Sequence, residues 1–132
     1  MNYKLLLLSF VALLFSSCHR TTLEDLAAKT AEEYTERYCP TPIENFQRMD
    51  SVTFSRDTHT FGYYYSLSGK LDDAAIIEKN KKQIIATILS SLKDNTSMKE
   101  YKQAGYSFHY VMKSSKTGDT LIDKVFTKKD YK

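Results

Sequence analysis

Two cysteines and three histidines are the side chains of this 132-residue chain best suited to chemistry. Cys39 is the candidate nucleophile. A thiol attacks as its thiolate and needs a nearby base or cation to reach that form at neutral pH. Arg37 is close in sequence, and His109 is the imidazole that would complete a thiol–base pair. Their settings differ: Cys39 falls at the exit of a predicted helix and His109 in the middle of a predicted strand. The reading that follows for Cys39 is a packed thiol, with a small thiol enzyme as the alternative. His19, His59 and His109 are isolated and lack ligand spacing with Cys39, so no metal site is predicted. Glu24/Asp25, Glu32/Glu33 and Asp72/Asp73 are neighbouring acids on helices. Adjacent helical positions diverge, so these read as capping and solvated residues, not as a catalytic dyad. With only four glycines and no glycine-rich phosphate loop, no catalytic residue and no cofactor is expected.

Cys18 has a different kind of chemistry. Lys4 supplies a positive start, Leu5 to Phe15 is apolar apart from Ser9, and Ser16-Ser17 leads into the cysteine. A basic start, an apolar middle and a small-residue junction make a secretory signal over residues 1–17. The apolar run is too short to span a bilayer, which takes roughly 20 residues. Leu14-Phe15-Ser16-Ser17-Cys18 resembles a bacterial lipobox, with Phe15 where that motif carries leucine. The resemblance implies cleavage before Cys18 and a lipid on its thiol, leaving residues 18–21 as a tether and 22–132 as one domain. Cys39 then has no partner, which is unusual in an exported protein.

Charge narrows the partners. The formal net charge is +3, and Lys4 leaves with the signal, so the mature chain is nearly neutral. That leaves no nucleic-acid footprint. Lys124, Lys128, Lys129 and Lys132 make a locally basic, solvated C-terminus.

These residues need elements to position them. Thr22 reads as an N-cap, and Leu23, Leu26, Ala27, Thr30, Ala31, Tyr34 and Tyr38 recur at helical spacing, predicting a helix over 22–38. Pro40 and Pro42 end it. Ile43 and Phe46 are expected to seal the core edge. Strands are predicted over 51–55 and 60–67, joined by a turn at 56–59. Asp72 or Asp73 caps a second helix over 72–93 with a broad isoleucine stripe, and Met98 to Gln103 adds one more turn. Strands over 106–112 and 120–127 flank a loop at 114–119 with Gly118 at its tightest point. The alternation of the last strand is ambiguous, because Leu121/Val125 and Ile122/Phe126 are both apolar.

The order α-β-β-α-β-β predicts an α+β two-layer sandwich: a four-stranded antiparallel sheet with both helices on one face. Phe61, Tyr63, Tyr65, Tyr106, Phe108 and Tyr110 would line the helix side. Thr53, Tyr64, Ser66, Ser107 and His109 would share the open side, the candidate binding face. Cys39-Pro40, Met49-Asp50-Ser51-Val52, Tyr63-Tyr64-Tyr65, Gly105 to Tyr110, and Phe126-Thr127 ahead of Asp130 resemble small exported bacterial proteins with a helix–hairpin–helix–hairpin layout. That resemblance implies a fold and an envelope location, and no activity. The expectation is a lipid-anchored cell-envelope protein, on the periplasmic face or the cell surface. It would touch the membrane through Cys18 and bind a protein partner without enzymatic activity, through its sheet face or an edge. An inhibitor or immunity-type lipoprotein that masks an enzyme is the alternative within that class.

Overall fold

The computed structural model describes residues 20–132. The predicted signal, the Cys18 lipidation site and His19 lie outside the described residues. Helix α1 runs Leu23–Tyr38. Thr22 starts it with a capping box: the Asp25 amide donates to Thr22 Oγ1 at 3.1 Å, and the Thr22 amide donates to Asp25 Oδ2 at 3.2 Å. Strands β1 (Gln47–Ser55) and β2 (Thr60–Leu67) form the first hairpin. Helix α2 spans Ala74–Asp94, capped by Asp73, whose carboxylate accepts the amides of Ala75 and Ile76. A short helix α3 (Lys99–Gln103) precedes β3 (Ser107–Ser114) and β4 (Thr120–Phe126). One last turn, α4 (Lys128–Tyr131), was not legible beforehand. It is held because the Tyr131 hydroxyl donates to Tyr106 O at 2.6 Å.

Both long helices lie on one face of a four-stranded sheet ordered β1-β2-β3-β4, the two-layer α+β arrangement the pattern implies. The sheet is mixed, which corrects the expectation of a wholly antiparallel one: β2 and β3 run parallel, Phe61 opposite Phe108 and Tyr65 opposite Met112. The two hairpins are locally antiparallel, as tight turns demand. Between them the chain crosses back over the sheet along α2, and such a crossover delivers the next strand in the same direction.

The first strand also begins earlier than alternation indicates. The register shifts between Met49 and Ser51, so Asp50 sits in a bulge and the period-2 pattern breaks there. In β4 the ambiguity resolves, with Ile122 opposite Met112 and Phe126 opposite Phe108 on the helix side. The core forms around Phe61, Phe108, Phe126, Leu67, Leu92 and Ile122, all fully buried.

Asp72 leaves the α2 cap to Asp73 and has another job. It accepts the Ser114 hydroxyl and, at 3.0 Å, the Lys116 amide, so the connector after β2 clamps the β3–β4 turn. The Ser114 bond, ahead of the Lys116 amide, holds this carboxyl below the usual carboxylate range.

Candidate functional site

Cys39 and His109 are not brought together. Cys39 ends α1, its amide donating to Thr35 O at 3.1 Å, on the helical side of the sheet. Burial first, then the negative charge of Asp50, pushes its thiol pKa up, which disfavours the thiolate a nucleophile needs. His109 is on the other side, with Nε2 at 2.7 Å from Asp123 Oδ1. His59 is a turn residue with φ of 48°. Its Nε2 lies 2.6 Å from Glu24 Oε1, and its ring stacks on Tyr106 at 5.0 Å. It pins the first hairpin to the start of α1.

The five residues of the predicted binding face do share one face. Thr53, Gly62, His109 and Val125 form one row across the sheet. The Tyr64 ring lies across Gly62, where an added Cβ would meet Tyr64 Cε2 at 2.9 Å and Thr53 Oγ1 at 2.5 Å. Tyr64 also meets the His109 ring edge-on, with centroids 6.4 Å apart. Ser66 donates to Asp50, whose Oδ1 is 2.7 Å from Arg48 Nε. Ser107 lies at the far end of the same face, its amide bonded to His59 O. Ser66 and His109 thus spend side-chain hydrogen bonds internally, whereas Thr53, Tyr64 and Ser107 keep hydroxyls on this face.

The larger feature lies on the other side. A groove of about 740 Å³ runs between α1 and α2 over the sheet. Its origin is local. Ala27 and Ala31 are small enough to let α1 settle close to the sheet, both nearly inaccessible. The Thr35 hydroxyl holds that helix over the outer edge of β1, donating to Val52 O at 2.7 Å and accepting the Val52 amide at 2.8 Å. Helix α2 packs instead towards β4 and α4. The tyrosine-rich middle of the sheet is left between them. Tyr63, Tyr65 and Tyr110 form the floor, Tyr34 and Thr30 one wall, and Ile84, Thr87 and Ile88 the other.

Among the described residues, no Lys, Arg, Asp, Glu or His lines this groove. Its polar wall positions are neutral, among them Gln83, Thr87, Ser91 and Asn95. Burial raises the pKa of all three floor tyrosines, Tyr110 to about 12 and Tyr63 and Tyr65 further. They are therefore neutral hydroxyl donors under any physiological condition. Beyond the C-terminal end of α1, Ile43 and Phe46 are exposed, as is Tyr38 in its last turn. This corrects the expectation that Ile43 and Phe46 seal the core. The Glu44–Gln47 turn, with positive φ at Asn45 and Phe46, swings Phe46 out against Gly69. Sequence reasoning missed the groove. The available signal was the α2 stripe, wider than one packing partner needs, combined with uncharged positions beside it.

The fold has solved relatives. A protein from Pseudomonas aeruginosa described as secreted is 15% identical, with a TM-score of 0.66 over 86% of this chain and 100% of its own. The type II secretion pilotin EpsS of Vibrio vulnificus is 12% identical, with a TM-score of 0.63 over 83% of this chain and 92% of its own. The type II secretion pilotin AspS of Vibrio cholerae is 19% identical, with a TM-score of 0.61 over 82% and 91%. At such identities the likeness is one of fold. No curated protein matches the sequence. The family described as Domain of unknown function (DUF8479) matches residues 22–122.

Proposed function

This chain belongs to the DUF8479 family, and from that premise we propose that it is a lipid-anchored, non-enzymatic adaptor of the bacterial cell envelope. Its groove receives an amphipathic helix of a partner protein. The observation that carries this reading is the uncharged groove between two helices that stand apart over a tyrosine floor. An apolar trough between two helices suits the chemistry of a third helix laid with its apolar face inward. The fold shared with two type II secretion pilotins supports an adaptor over an enzyme. So does the raised pKa of Cys39, which weakens the thiol-enzyme alternative.

Anchoring fits the same reading. A lipid on Cys18 would sit five residues before Leu23, a tether of at most about 17 Å.

Photocrosslinking in cells tests the proposal. Benzoylphenylalanine at Thr87, inside the groove, should give one discrete adduct, and the same probe at Thr53 on the open face should give none. Adducts from Thr53 without adducts from Thr87 would move the interface to the open sheet. Metabolic fatty-acid labelling should be lost in Cys18→Ala, and its persistence there would refute the anchor.

A further inference from the structure

We infer that Tyr65 and Tyr110 are the polar specificity anchors of the groove: their hydroxyls select an uncharged amphipathic helix that carries a hydrogen-bond acceptor within its apolar stripe. The inference rests on the helix-docking reading above and specifies its ligand. Of the three floor tyrosines, Tyr63 is already committed, its hydroxyl lying 3.7 Å from Met98 Sδ. Among the described residues, the hydroxyls of Tyr65 and Tyr110 have no hydrogen-bond partner. No fully buried side-chain polar atom in the described residues lacks a partner, so these two hydroxyls are free because the groove is open to solvent.

The Tyr110 ring is held firmly. It stacks on Tyr63 with centroids 4.8 Å apart and meets Phe126 edge-on at 5.7 Å. Its hydroxyl therefore points from a fixed place. A helix laid over the floor expels the water that now serves both hydroxyls. Each hydroxyl must then find an acceptor or stay unpaired in an apolar setting, which is costly. The acceptor has to be neutral, because among the described residues no cation lines the groove, and Arg48 beside the Tyr65 end is already paired with Asp50. A glutamine or asparagine carbonyl, or a serine or threonine hydroxyl, satisfies both conditions. The wall contributed by α2 extends from Ile77 to Leu92, about 23 Å of helix, so the occupant covers about four turns.

The probes are fluorescein-labelled amphipathic peptides of about 18 residues with a leucine stripe. In one set glutamine replaces each stripe leucine in turn, and in a second set glutamate does. They are titrated by fluorescence anisotropy against the full chain, made with its own signal and reconstituted in phosphatidylethanolamine–phosphatidylglycerol nanodiscs. The native protein should bind the best glutamine peptide about fivefold or more tighter than the all-leucine peptide. The Y65F/Y110F protein keeps both rings and should reverse that order. Glutamate peptides should bind both proteins about tenfold or more weakly than the all-leucine peptide. If both proteins rank glutamine and leucine alike, or accept glutamate, the inference is wrong while groove docking stands. If no peptide binds either protein, the docking reading fails and this inference fails with it.

Discussion

The hydroxyl of Thr35 on α1 closes the edge of β1 by bonding both backbone groups of Val52, as acceptor to its amide and donor to its carbonyl. One side chain thus imitates a neighbouring strand. Thr41 does the same for Met49, its hydroxyl accepting the Met49 amide at 3.0 Å and its own amide donating to Met49 O at 3.0 Å. An open strand edge invites pairing with another chain. The β1 edge is therefore closed at Val52 and Met49 by the chain itself, and the Thr35 contact sets the outer wall of the groove.

Thr35→Val keeps shape and removes both bonds. It should destabilise the protein by about 1–3 kcal/mol, because the amide and carbonyl of Val52 lose their partners. Urea unfolding measures this, and a change below about 0.3 kcal/mol would mean the contact carries nothing, being within the ordinary scatter of surface substitutions.

The two ends of α2 should matter more than its middle. Both Leu92 and Ile88 border the groove, but Leu92 is 2% exposed and belongs to the main core cluster, whereas Ile88 is half-buried. Leu92→Ala should cost about 2–5 kcal/mol, and Ile88→Ala clearly less. The order reversed in a denaturant series would misplace the groove wall.

Acid should loosen the fold through two carboxylates. Asp25 is held down to about 2, chiefly by the Arg56 guanidinium at 2.8 Å. Asp72 is lowered by Ser114. A carboxyl with a depressed folded-state pKa contributes stability above its unfolded value of about 3.9, and that contribution fades as pH falls towards the folded value. Stability should therefore decline from about pH 4 downward, and Asp25→Asn and Asp72→Asn should each flatten that decline. Thermal unfolding between pH 2 and 6 reads it directly, and an unchanged slope in both variants would contradict the assignment.

The Cys39 thiol should label slowly with aromatic disulfide reagents at pH 7 and faster on unfolding, since burial and Asp50 both disfavour its thiolate. Cys39→Ala should fold and keep its groove crosslink. Rapid labelling of the folded protein, with the crosslink lost in a folded Cys39→Ala, would restore the thiol-enzyme alternative.

What the sequence determined by itself was local. Helical spacing from Leu23 to Tyr38, the Thr22 cap and the alternation of Phe61, Tyr63 and Tyr65 depend on periods of 3.6 and 2 that neighbouring residues enforce. So the two long helices, the four strands and the shared face of Thr53, Tyr64, Ser66, Ser107 and His109 could all be read. The tertiary structure alone decided how the pieces meet. The parallel pairing of β2 with β3 follows from the path of the crossover, which no local period encodes. The bulge at Asp50, the Asp72 clamp on the β3–β4 turn and the grip of Thr35 on Val52 each join positions far apart in sequence or shift a register. The groove is the sum of these placements. It exists because α1 is held to one edge of the sheet and α2 to the other, and the gap between two helices is a property of their separation, not of either helix's own residues.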